Sequence, residues 1–222
     1  MASVLESFSE GFRLTSAHYR MFFWPTVAVL FMQFAAYYVR ESASPMMVFA
    51  ALLVAVFIGF FGAAAQVWIY SNALAVVTHR KHPFRWSAAL ALWGYLLLVS
   101  LMVWVLGFIM GLSIEMSFGL FPIALMIFLF WQALIVYVLI RFTWFIPEIA
   151  SDRREHSAFD RTFELTAGHF WQIVWFMIVS ILLVVAGFFA LGVGILFAIP
   201  MTVVASVHYY EQLRKEYKRS KA

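Results

Sequence analysis

The sequence predicts an all-α integral membrane protein: six transmembrane helices, built as three tandem units of an interfacial helix plus a helical hairpin. Three observations predict this. First, the 222 residues are 65% apolar and only 12% charged, with a mean hydropathy of +0.92. Soluble domains carry about 25% charged residues, and a soluble core cannot hide so much apolar surface. Second, apolar runs of transmembrane length recur along the chain. Third, Phe8–Phe22 (FSEGFRLTSAHYRMF) reappears 151 residues later as Phe159–Ile173 (FDRTFELTAGHFWQI). Phe8 falls on Phe159, Phe12 on Phe163, Leu14 on Leu165, Thr15 on Thr166 and His18 on His169. A fainter copy lies midway, where Phe84, Leu90 and Tyr95 match Phe8, Leu14 and Tyr19. A fixed period marks a repeated structural unit, here one membrane domain over 1–222 with units of about 2–78, 79–150 and 151–222.

The first unit opens with an amphipathic segment at residues 2–20. Leu5, Phe8, Phe12, Thr15 and Tyr19 are spaced 3-4-3-4 and form one stripe, while Glu6, Glu10, Arg13 and Arg20 lie off it. Such a helix lies in the membrane interface with its apolar face down; the alternative is an ordinary helix packed on a neighbour. Met21–Val39 is the first span, near the roughly 20 residues the hydrocarbon core requires. Pro25 is expected in its first turn, where a missing N–H costs little. Arg40–Pro45 is a polar turn. Met46–Val77 is apolar for 32 residues, so it tilts or projects beyond the bilayer at its polar end, Gln66 to Asn72. Gly59, Gly62 and Ala63–Ala65 would admit a close helix.

Thr78–Arg85 (THRKHPFR) is a basic loop. Trp86–Gly111 holds the third span, with Gly107 and Gly111 as a small-xxx-small contact pair. Leu120–Ile140 is the fourth span, and Glu148–Glu155 is a charged loop. The third interfacial helix covers Ser157–Thr166, with Gly168 as its C-terminal cap. Phe170–Phe189 and Ile195–Tyr210 are spans five and six, joined by a Gly-rich turn. EQLRKEYKRSKA leaves as a basic helical tail.

Orientation follows from Lys and Arg. The two interfacial helices, the loops after spans two and four and the tail carry fourteen of the fifteen basic residues; only Arg40 lies on the other side. Positive residues stay cytoplasmic, so both termini are expected there. No cleavable signal peptide is expected, because Glu6, Glu10, Arg13 and Arg20 interrupt the first apolar pattern. With no cysteine in the chain, disulfides and thiol chemistry are excluded. A net charge of +4, dispersed beside the spans, does not suggest nucleic acid.

The segment LTAGHFWQI and the terminal IPMTVVASVHYYEQLRKE resemble those of a loose group of prokaryotic six-span proteins. The group includes the YciC-like inner-membrane proteins of unknown function and the membrane domain joined to some glycerophosphodiester phosphodiesterases. Its Leu-Thr-x-Gly pattern and its Tyr at the end of the last span correspond here to Leu165, Thr166, Gly168 and Tyr210. The resemblance implies a six-span fold in a prokaryotic cytoplasmic (inner) membrane. The phosphodiesterase domain with its metal-binding acids is absent, so that activity is not implied.

Candidate functional residues fall into two sets. At the interface are His18 and His169, the repeated pair, with Arg80, Lys81, Arg85, Arg214, Lys215, Lys218 and Arg219. These basic groups are expected to form a collar at headgroup depth, each contributing about 1 kcal/mol to attraction for anionic lipid. The histidines suit either amphipathic anchoring or contact with a lipid phosphate. Within the membrane, Gln66, Asn72 and Gln132 suit interhelical hydrogen bonds, and Arg141 and Glu148 flank the end of span four, where they can pair. No acid or base lies mid-membrane, which counts against a proton-coupled pump. His79 and His82 lack the further ligands of a metal site, and no nucleophile–base constellation or phosphate-cradling loop is present. A resemblance to mitochondrial carriers is limited to the repeat count. The sequence therefore points to a non-enzymatic polytopic membrane protein without cofactor, binding anionic lipid or a membrane-protein partner. The alternative is a small transporter or channel with a path between the repeats.

Overall fold

The structure, a computed structural model, describes residues 4–42, 48–116, 144–151, 158–166, 168–190 and 194–220, together with helical positions 125–126, 129–130, 132–133 and 137. Most of the fourth span, the Arg40–Pro45 turn beyond Ser42 and most of the charged loop after Ser151 lie outside them. Every element among the described residues is a helix. In chain order they are α1 (Val4–Ala17), α2 (Tyr19–Ser42), α3 (Val48–Thr78), α4 (Trp86–Met116), α5 (Phe145–Ala150), α6 (Ala158–Thr166), α7 (Phe170–Phe189) and α8 (Ile195–Ser220). Two stretches, Val56–Thr78 and Phe170–Phe189, are long and apolar enough to cross a membrane; Trp86–Leu101 is apolar but shorter.

The order short helix, long helix, long helix occurs at both ends of the chain. The middle unit departs from expectation: no short helix precedes α4. Residues 79–85 form an irregular connection, and α4 begins at Trp86 and runs for 31 residues. Pro83 and the left-handed His79, with φ of 53°, break helical continuity there. Gly168 has φ of 82°, the conformation expected for the residue that ends α6.

Helices α2 and α3 form an antiparallel hairpin. Asn72 on α3 reaches Met21 near the start of α2, and Met32, eleven residues on, lies opposite Gly62. Pro25 is inside α2 and not in its first turn. It cannot donate to the carbonyl four residues back, which is that of Met21. The Asn72 side-chain amide donates to this same carbonyl at 2.9 Å. The orphaned acceptor is thus satisfied from the neighbouring helix, as a proline inside a helix requires.

Helix α1 corrects the predicted stripe. Its buried residues are Val4, Ser7, Phe8, Gly11 and Thr15, whereas Leu5 is 71% and Phe12 55% exposed. The helix lies along α8 through its small residues. A Cβ on Gly11 would sit 2.9 Å from both the Ala205 Cβ and the Met201 carbonyl oxygen, so the two backbones are in contact. Phe12 is too large for that seam and turns outward against Phe197, with ring centroids 5.4 Å apart. The equivalent Phe163 on α6 is also exposed, while Thr162, Leu165 and Thr166 are buried. Of the small-residue contact expected on α4, Gly107 has no neighbour within 4 Å.

The core that the described side chains form lies at one end of the bundle. Among them, the buried positions on α2 reach Val29, those on α3 run from Ala63 to Val76, and those on α4 are Ala88, Ala89 and Leu92. Because these three helices alternate in direction, all of this falls at the same end. Three clusters make it up. One joins α1, Trp144, Leu165, α7 and α8. The second joins α3, α4 and Ile149. The third joins Phe22, α3, Ala150 and α8. Toward the other end the described large side chains are exposed, among them Phe31, Phe34, Tyr37, Phe57, Leu98, Leu101 and Phe189.

Candidate functional site: a basic cleft beside a buried carboxylate

The functional candidates gather at the packed end. After α3, His79 reverses the chain in the left-handed region, a conformation costing a non-Gly residue about 1–2 kcal/mol. The reversal brings the Arg80–His82 segment opposite the last turns of α8. A cleft of about 570 Å³ lies between them, lined by Val77, Thr78, His79, Arg80, His82, Ser151, Glu211, Arg214, Lys215 and Lys218. Four cationic side chains meet one carboxylate here, a formal net of three positive charges from Lys, Arg and Glu.

Local hydrogen bonds order the walls. Thr78 Oγ1 donates its proton to the Leu74 carbonyl at 2.7 Å. The same hydroxyl lies 3.0 Å from His82 Nε2. Having spent its proton, it accepts there, so His82 carries hydrogen on Nε2 and is pinned to the end of α3. Across the cleft Arg214 pairs with Glu211 at 2.9 Å. Arg214 Nε, also buried, has no hydrogen-bond partner among the described residues.

Beneath the cleft lies Glu148, 1% exposed. Tyr210 on α8 donates its hydroxyl to one carboxylate oxygen, and Arg161 on α6 reaches the other at 3.3 Å. A buried carboxylate persists only with such partners. Glu148 thereby ties α5 to α6 and to α8. A second link runs from the Tyr217 hydroxyl to Glu164.

The sequence-predicted residues thus divide. Arg80, Arg214, Lys215 and Lys218 come together in the cleft. Lys81 and Arg219 are exposed outside its lining, and Arg85 is half-buried where α4 starts. The repeated histidines do not join it. His18 donates Nδ1–H to the Leu14 carbonyl at 3.1 Å and closes α1, while His169, preceding α7, lies 3.6 Å from Glu216. Asn72 makes the interhelical bond described above. Gln66 is half-buried, and Gln132 is exposed. Arg141 lies outside the described residues; the partner of Glu148 that the structure gives is Arg161. The sequence reading missed Gly11, Arg161 and Tyr217. A faint signal existed for the first: among the residues of the α1 stripe, only a glycine admits backbone contact.

Two further cavities complete the picture. An apolar groove of about 360 Å³ lies between α2 and α3, floored by Ala28, Ala64 and Ala65 and walled by Phe61, Trp68, Phe84 and Trp86. A smaller cavity of about 200 Å³ lies among α3, α7 and α8 near Tyr70, Ser180, Thr202 and Ser206. The last three hydroxyls donate to carbonyls of their own helices. Among the described residues, no three His, Asp or Glu side chains are grouped as metal ligands. No family model, curated protein or solved structure matches the chain.

Proposed function

We propose that this chain is a non-enzymatic polytopic membrane protein that binds anionic lipid through its basic end, as an accessory or scaffold. In this reading it has six spans, lies in a prokaryotic cytoplasmic membrane and keeps both termini in the cytoplasm. The observation that carries the reading is the convergence of Arg80 with Arg214, Lys215 and Lys218 on one cleft. Residues 134 or more apart in sequence concentrate charge there, which an anionic surface would reward by about 1 kcal/mol per Lys or Arg.

Two further observations support it. Away from the core, the described exposed side chains include Phe, Leu and Tyr turned outward, as on a lipid-solvated surface. The groove between α2 and α3 is apolar, suiting a lipid chain better than a hydrated path. The transporter alternative has less support, because the hydroxyl-lined cavity has its hydroxyls bonded internally. The experiment is purification in a mild neutral detergent followed by native mass spectrometry. Phosphatidylglycerol or cardiolipin should co-purify in preference to phosphatidylcholine and be displaced by salt. Equal retention of charged and zwitterionic lipid would defeat the proposal.

A further inference from the structure

We infer that the cleft between the α3–α4 connection and α8 is a discrete binding site for a phosphorylated polyol: one phosphate group with hydroxyls beside it. This rests on the anionic-lipid reading and narrows it from a diffuse collar to a single site. If basic residues acted only as a collar, every exposed cation of these segments would be equivalent. They are not. Arg80 lies in the cleft while its neighbour Lys81 does not, and Lys218 lies in it while Arg219 does not.

The lining also says what is recognised. Three net positive charges require an anion. The guanidinium forks of Arg80 and Arg214, beside the Lys215 and Lys218 ammonium groups, supply donors that fit the several acceptor oxygens of a phosphate. Glu211 is an acceptor in the same cleft. It would repel a bare polyanion but accept from a hydroxyl, so the ligand carries hydroxyl groups next to its phosphate. No Phe, Tyr or Trp is among the described lining residues, so the large rings on which nucleobases stack best are missing. Val77 is the sole apolar side chain of the lining, too little to hold an acyl chain. A glycerol phosphate or sugar phosphate meets all four conditions. It can arrive as the headgroup of a phosphatidylglycerol molecule or as the free phosphate ester.

The test uses the full chain in neutral detergent with two probes: glycerol 1-phosphate, followed by calorimetry, and phosphatidylglycerol against phosphatidylcholine, followed by native mass spectrometry. Four variants separate the models. Arg80→Gln and Lys215→Gln remove cleft cations; Lys81→Gln and Arg219→Gln remove neighbouring cations outside it. We expect saturable binding of at least one probe. Each cleft substitution should weaken it by about fivefold, as for one charge at an anionic surface, with both outside variants within twofold of the parent. Binding of glycerol 1-phosphate that competes with phosphatidylglycerol identifies the free ester as a ligand; saturable binding of the lipid alone identifies the headgroup. Equal losses from all four variants would overturn the discrete site while leaving the collar intact. Absence of any preference for phosphatidylglycerol over phosphatidylcholine would overturn the lipid reading itself. All four substitutions exchange residues of a solvated cleft or surface, and thermal unfolding of each variant verifies that the fold is retained.

Discussion

Replacing Gly11 with alanine tests the seam between α1 and α8 most directly. In the middle of an ordinary helix this change is favourable, since alanine gains about 1 kcal/mol over glycine in propensity. At Gly11 the new methyl would meet Ala205 Cβ and Met201 O at 2.9 Å and Ala205 N at 3.0 Å. Two of these atoms are backbone, so no flexible side chain can swing aside. Overpacking of this kind costs about 1–3 kcal/mol, leaving a net loss of about 1 kcal/mol. For a chain of this size that lowers Tm by about 2–4 °C. Gly94→Ala and Gly107→Ala are the internal controls, because a Cβ at either position meets nothing within 4 Å; each should hold or raise Tm. Thermal unfolding in one detergent compares all three. A second readout is local. Cysteines at Ser7 and His208, whose side chains approach to 3.4 Å, should cross-link readily in this cysteine-free chain, and much more slowly once Gly11→Leu wedges the helices apart. If Gly11→Ala raises Tm like the controls, the close approach of α1 to α8 is wrong.

Asn72→Ala should destabilise by about 1 kcal/mol, the net worth of a typical hydrogen bond. It should cost less in a Pro25→Ala background, where residue 25 can itself donate to Met21; an additive double-mutant cycle would refute that coupling. Glu148→Ala should cost about 3 kcal/mol, because Tyr210 and Arg161 lose a buried charged partner, while Glu10→Gln, whose carboxylate pairs with exposed Arg13, should cost less than about 0.5 kcal/mol. Equal urea-unfolding midpoints for these two would sink the buried-hub assignment. Phe12→Ser and Phe163→Ser should leave stability nearly unchanged, since both side chains are turned outward; a loss above 2 kcal/mol in either would place that ring in a core.

The elements were legible because apolar runs and breakers are local signals. The lengths of α2, α3, α4 and α7 follow from uninterrupted apolar stretches, and the end of α6 follows from a glycine free to adopt positive φ. Contacts between distant segments were less legible. The α1 stripe was misassigned by about one position: two candidate faces share Phe8 and Thr15, and the choice rests on α8, some 190 residues away. Size misled as well. Phenylalanines mark a core face in water, yet here the seam is lined by Ser7, Gly11 and Thr15, and Phe12 lies outside it. Glu148 was expected to pair with Arg141, which lies outside the described residues. The structure pairs it with Arg161, thirteen residues on, because α6 folds back toward α5. Of the basic residues, the sequence indicated their common side but not which of two neighbours would point into a cleft.

The distribution of polar residues accounts for the one-ended core. Its buried polar groups are Ser7, Thr15, Thr26, Ser71, Glu148, Thr162, Thr166 and Ser206, spread over α1, α2, α3, α5, α6 and α8. In lipid, as the proposal has it, apolar side chains gain little by leaving the solvent for one another, so helices associate through small residues, close packing and hydrogen bonds. Such residues are concentrated where the helices meet: the Gly11 seam, the Asn72–Met21 bond and the Glu148–Tyr210–Arg161 hub. The distal halves of α2, α3 and α4 have large apolar side chains at their exposed positions. Lipid solvates these as well as another helix would, so nothing compels them to pack. The same arrangement fixes the place of the cleft. Only the end held by specific polar contacts can hold Arg80 on one segment and Lys215 on another in register, and a site that discriminates one cation from its neighbour needs that rigidity.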